Sequence, residues 1–113
     1  MDQCLFCKII KGNIPSTKVY ENEQVFAFRD INPQAPVHIL VVPKKHVASV
    51  AEIDHLPDSD IAACLHAVSQ IAEKEKLTGG YRVISNCGPD ACQSVPHLHF
   101  HILGGRQMAD QMA

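Results

Sequence analysis

The chain has 113 residues, 46% of them hydrophobic, and a formal charge of −2. That suits one domain with a core of its own, and it leaves no positive footprint for nucleic acid or an anionic membrane surface. No run approaches the roughly 20 apolar residues of a membrane span. Lys8 and Lys11 break up the apolar stretch that a signal peptide would need, and five cysteines, an odd number, argue against a disulfide framework. The expectation is a soluble protein of the cytoplasm, with the nucleus as the alternative.

Cys4-Leu5-Phe6-Cys7-Lys8-Ile9-Ile10 has apolar residues at helical spacing, and Gly12-Asn13 stops it, so a short helix is predicted. Cys4 and Cys7 share one face of that helix at i and i+3. Such a pair is a redox motif, half a metal site or two buried small hydrophobes; burial is the commonest fate of free cysteine.

Thr17–Glu21 and Gln24–Phe28 read as two strands of a hairpin turning at Asn22-Glu23. The second strand runs into Arg29-Asp30-Ile31-Asn32-Pro33, where Asn-Pro forces a turn. Val37–Pro43 is almost continuously apolar and fits a central strand buried on both faces. His38 lies inside it and needs a polar partner.

From about Pro57 to Leu77 the spacing is helical, with a stripe of Ile61, Cys64, Leu65, Val68, Ile71 and Ala72. Asp58 and Asp60 favour the helix N-terminus, and Gly79-Gly80 is the predicted stop. His55 and His66 fall outside the stripe and are expected in solvent. Tyr81–Ser85 is a further strand and Asn86–Ser94 a loop.

The chain then reaches Pro96-His97-Leu98-His99-Phe100-His101-Ile102-Leu103-Gly104-Gly105. Period-2 alternation predicts a strand with His97, His99 and His101 on one side, roughly 7 Å apart, and Leu98, Phe100 and Ile102 in a core. One such histidine is ordinary surface. Three in strict alternation, out of seven in the chain, point to a metal site or to nucleophilic and acid–base chemistry by neutral imidazole. Hairpins and short links give an α+β fold: a five-stranded antiparallel sheet with one long and one short helix, drawn to one side.

The run His97-Leu98-His99-Phe100-His101-Ile102-Leu103 resembles the motif of the histidine-triad family. Phe28–His38 is similar to that family's nucleoside-binding segment. Asn86, Gln93-Ser94-Val95 and Gly104–Met108 resemble its purine nucleoside phosphoramidase branch, so residues 1–113 are identified as a single histidine-triad domain. The resemblance implies a two-fold homodimer whose sheets join into one of ten strands. It implies a hydrolase acting on purine nucleoside monophosphates and their 5′-phosphoramidates, through a nucleotidyl intermediate on His99, with no cofactor required for catalysis.

By the same resemblance, the His97 carbonyl fixes the His99 tautomer, and His101 binds phosphate with His38 as its partner. Ser94 and Gln93 donate to phosphoryl oxygens or the leaving group, Asn86 holds the phosphate, and Cys92 lies beside it. Asp30 takes the ribose hydroxyls, against a plain alternative of capping its turn. Ile31, with Phe6 and Phe26, sandwiches the purine. Ala91-Cys92 stands where this branch has two glycines, and the aromatic, proline-rich tail of some relatives is missing.

Three readings compete with this one. The triad itself could be a zinc hydrolase site. Cys4, Cys7, His46 and His97 could form a structural Cys2His2 zinc site. The chain could also be a nucleotide-binding adaptor that keeps the pocket without turnover.

Overall fold

A computed structural model describes residues 3–112. Its elements are α1 (Leu5–Ile10), β1 (Lys18–Glu21), β2 (Val25–Arg29), β3 (Val37–Pro43), α2 (Asp58–Lys74), β4 (Tyr81–Ile84) and β5 (Phe100–Gly104). The sheet is antiparallel throughout, in the order β1-β2-β3-β5-β4. The α+β class and all five strands therefore follow the sequence pattern. No helix among the described residues is long and apolar enough to cross a membrane.

Local chemistry sets the boundaries. Asn22 Oδ1 accepts from the amides of Gln24 and Val25 and closes the β1–β2 turn. Asp30 Oδ1 accepts from the Asn32 amide and starts the turn into β3. Helix α2 ends on Lys76 rather than at Gly79-Gly80. Lys76 takes a left-handed φ of 59°, its amide bonds the Glu73 carbonyl and that of Leu77 bonds Ala72. This is a Schellman stop, made here by lysine.

The helices pack on opposite faces of the sheet, not on one side as the pattern suggested. On one face α2 brings Cys64, Ala67, Val68 and Ile71 against Val25, Ala27, Ile39, Val41 and Ile102. On the other, α1 brings Phe6 and Ile9 against Phe26, Phe28, Leu40 and Val42. Strand alternation therefore places His38 and His101 on the α1 face, covered rather than open. The α2 stripe is also rotated from its predicted line: Leu65 is 51% exposed, while Ala67 and Asp60 are buried. Asp60 is held by Gln24 Nε2 at 2.9 Å.

Ile71 is fully buried in the α2 face of the core and lines none of the α1-side cavity. Ile71→Ala should lower stability by about 2–5 kcal/mol, measured as the midpoint of urea unfolding. A loss below about 1 kcal/mol would mean that this face collapses around the gap.

Candidate active site and metal-ligand cluster

The histidine row enters β5 from a bend over residues 95–97; regular pairing begins only at Phe100, so His97 and His99 precede the strand. Loop bonds replace ladder bonds here. The Leu98 amide bonds the Val47 carbonyl, the His97 amide bonds Val95, and Ser85 Oγ donates to the His99 carbonyl at 2.8 Å. His97 is 0% exposed and His99 only 5%. Phe6 meets the edges of both rings, at centroid distances of 5.9 and 5.0 Å.

His99 Nδ1 lies 2.6 Å from the His97 carbonyl. A carbonyl only accepts, so Nδ1 carries the proton and Nε2 keeps its lone pair. Burial pushes the His99 imidazole below its ordinary value, which favours the neutral ring. His101 Nδ1 sits 2.9 Å from His38 Nε2, and Asp30 Oδ2 is 3.5 Å from the same His38 nitrogen. His101 is depressed to about 4 by burial first and then by His99 and His38, and burial also lowers His38.

A cavity of about 640 Å³ opens over this row. Its walls include the polar side chains of His99, His101, Ser94 and Asp30 and the apolar ones of Leu5, Phe6, Ile9, Phe28 and Leu40. Ile31 stands at its edge, 92% exposed. Phe6, Asp30, Ile31, Ser94, His99 and His101 are thus brought together. Phe26 is not part of the wall. It is buried behind Phe28, ring centroids 6.0 Å apart, and Phe28 takes its place. Alternation along β2 cannot separate the two, because both belong to the same covered cluster.

Asn86 and Cys92 also lie outside the lining residues. Gln93 is absent from that lining too, for a visible reason. Its amide nitrogen donates to the carbonyls of Ala48 at 2.7 Å and Val95 at 3.0 Å, and its oxygen accepts from the Gly88 amide at 2.9 Å. Both amide hydrogens are used, so Gln93 braces the loop that carries Ser94 instead of donating to a phosphate.

A second cluster lies beneath. Cys4, Cys7, His46 and His97 bring four donor atoms within 4.8 Å of one another. Cys4 Sγ is 3.4 Å from His97 Nδ1, Cys7 Sγ is 3.5 Å from His46 Nδ1 and 3.6 Å from His97 Nδ1, and the two Nδ1 atoms are 3.1 Å apart. Zinc bonds of ordinary length make tetrahedral edges of ~3.6 Å between sulfur and nitrogen and ~3.3 Å between nitrogens. His97 Nε2 donates to the Pro43 carbonyl at 2.8 Å, which leaves Nδ1 free to ligate. The set fits a closed zinc site. Asp30, His38 and His101 form another group of three donors; His99 belongs to neither.

Comparison with known proteins finds relatives of similar sequence and fold. The HIT domain family matches residues 11–108. A maize (Zea mays) protein named 14 kDa zinc-binding protein is 51% identical over 106 residues, covering 92% of this chain and 83% of that one. Adenylylsulfatase HINT1 of Arabidopsis thaliana is 46% identical over 108 residues, covering 92% and 72%. The structure of a HIT family hydrolase from Clostridium thermocellum superposes with a TM-score of 0.96 at 46% identity, covering 100% of this chain and 99% of the other.

The depressed histidines give the fold a pH dependence. In the folded chain His101 titrates near 4 instead of 6.5, so between those values the unfolded chain binds the extra proton. Stability is complete above about pH 6.5 and is lost as pH falls toward 4. Urea midpoints measured from pH 7.5 to 5 should decline through this window, and a flat profile would show that His101 is not held neutral by the fold.

Proposed function

Because the chain belongs to the HIT domain family, we propose that it is a hydrolase of purine nucleoside 5′-phosphoramidates that works through a covalent nucleotidyl-His99. The observation that carries this reading is the 2.6 Å contact between His99 Nδ1 and the His97 carbonyl, in a side chain that lines the cavity. A neutral imidazole with a bare Nε2 can approach an anionic phosphate without repulsion.

In the first step His99 Nε2 bonds the α-phosphorus, and the bond from phosphorus to the amine nitrogen breaks. The leaving nitrogen takes a proton from the site's donors as the amine departs, and the water that attacks in the second step gives one back to them. Water then attacks the same phosphorus, the bond to His99 breaks, and a nucleoside monophosphate departs from a regenerated neutral ring. Ser94 in the cavity wall donates to the leaving nitrogen or a phosphoryl oxygen, and His101 holds the phosphate with His38 behind it. Asp30 takes the ribose hydroxyls through Oδ2, since Oδ1 already serves its turn. Phe6, Phe28 and Ile31 enclose the purine. The Arabidopsis relative's name adds adenylyl sulfate to the substrates to test, because the same attack would expel sulfate.

Two further parts belong to this reading. Zinc held by Cys4, Cys7, His46 and His97 clasps α1 to the row and takes no part in turnover. The β4 edge, carrying half-exposed Tyr81 and Val83, joins a second copy into a ten-stranded sheet, in a protein of the cytoplasm.

His99→Ala should reduce turnover of an adenosine phosphoramidate by more than 10⁴-fold, beyond the usual range for general acid–base catalysis alone, while AMP still binds in calorimetry. Near-normal rates in that variant would remove His99 as nucleophile. AMP binding by the native protein with no turnover of any substrate would favour the adaptor reading.

Elemental analysis of protein purified without a metal-affinity tag should find about one zinc per chain. Chelation should lower the melting temperature and leave phosphoramidase activity at temperatures where the fold holds. Activity lost without unfolding would instead revive a catalytic metal.

A further inference from the structure

Among the described residues, one buried side-chain nitrogen or oxygen has no hydrogen-bond partner: Nε2 of His101. A buried orphan of this kind calls for an explanation. It follows from the protons on its neighbours. The amide of Gln34 donates to His38 Nδ1 at 3.0 Å. A backbone amide cannot accept, so His38 Nδ1 must present its lone pair, and a neutral His38 carries its proton on Nε2.

That proton has one imidazole nitrogen in front of it, His101 Nδ1 at 2.9 Å. Asp30 Oδ2, 3.5 Å from His38 Nε2, adds negative charge beside the same hydrogen. His101 Nδ1 is therefore an acceptor, and the neutral His101 ring must carry its proton on Nε2, the orphan atom. We propose that the backbone amide of Gln34 is a positioning group for the site: through His38 it sets the tautomer of His101 and keeps a donor on a cavity-lining ring.

Neighbouring histidines of one row then hold opposite tautomers. His99 is bare at Nε2 and able to attack, while His101 is protonated at Nε2 and able to donate. One carbonyl, of His97, sets the first; one amide, of Gln34, sets the second. Both choices are set by backbone groups, with the Asp30 carboxylate reinforcing the second.

The same lock bears on the Asp30, His38 and His101 donor group. A cation there would need a lone pair on His38 Nε2. Moving that proton to Nδ1 would set it against the Gln34 N–H, two donors face to face. The amide therefore keeps the three residues a proton relay and closes them to divalent ions, in contrast to the Cys4, Cys7, His46 and His97 set, where the Pro43 carbonyl leaves His97 Nδ1 bare.

The assignment deepens the phosphoramidase reading, and its test separates the two. Long-range proton–nitrogen correlation spectra of protein labelled with ¹⁵N-histidine, at a pH where the rings are neutral, report the tautomer of each ring directly. The expected spectrum has His38 and His101 protonated on Nε2 and His99 protonated on Nδ1. Gln34→Pro removes the amide hydrogen. It should release His38 and His101 into mixed tautomers and lower kcat/KM by on the order of 10-fold or more, up to the roughly 10²- to 10³-fold of one donor lost outright from an active site. Gln34→Ala keeps the amide and should keep both tautomers. His38 or His101 protonated on Nδ1 in the native protein would overturn the inference whatever the activity, so the test stands even if Gln34→Pro does not fold. A folded Gln34→Pro variant with native tautomers and rate would overturn it as well. The expected tautomers without turnover would count against the phosphoramidase reading alone.

Discussion

The hydrogen bond from His99 Nδ1 to the His97 carbonyl makes the His99 ring only as well aimed as the backbone of its neighbour. That backbone is held from several sides. The His97 amide bonds Val95, the next amide bonds Val47, and the buried His97 ring bonds the Pro43 carbonyl through Nε2. The other face of His97 meets the thiols of Cys4 and Cys7. One residue thus serves two neighbourhoods, its side chain toward α1 and its carbonyl toward the cavity. Short-range bonds fix a tautomer that no long-range charge could specify as sharply.

The cavity is also poor in positive charge among the described residues that line it. Of those described residues, Arg29 is the one cation, and its guanidinium is paired with Glu75 at 2.9 Å. On the proposed reading, an anionic phosphate would therefore be met by neutral donors and the neutral His99 ring. Such dipoles stabilise developing charge without trapping the product as tightly as an unpaired cation would, because a product phosphate leaves neutral groups behind.

Much of this was legible in the residues. The Val37–Pro43 run is β3 to the residue, because a strand buried on both faces needs apolar side chains at every position and stops at proline. The alternating histidines marked the site through chemistry rather than propensity. What stayed hidden was set by tertiary context. Alternation says which residues share a face, not which helix covers it, so the positions of α1 and α2 could not be read. Phe26 and Phe28 look alike in sequence, and only packing under α1 decides which ring meets the cavity. Gln93 beside Ser94 resembled a phosphate donor; its amide is used by Gly88 in its own loop and by Ala48 in a distant one. Lys76 ends α2 before the glycines because its amide and that of Leu77 find carbonyls first.

Strand order carries a consequence for how the protein acquires its site. β5 is the last strand in the chain, yet it lies between β3 and β4, with Val37 opposite Gly104 and Leu40 opposite His101. The β1–β2–β3 meander closes through short turns, whereas β3–β5 pairing must first close a loop of some sixty residues, with its entropy spent before any contact repays it. During synthesis β3 waits with one edge open until the C-terminal segment emerges. His38, at the front of the chain's central strand, and His101, near its end, meet only then. The histidine cluster is therefore among the final things to form, and a chain truncated before residue 97 would hold the segments of β1–β4 and both helices but no histidine row.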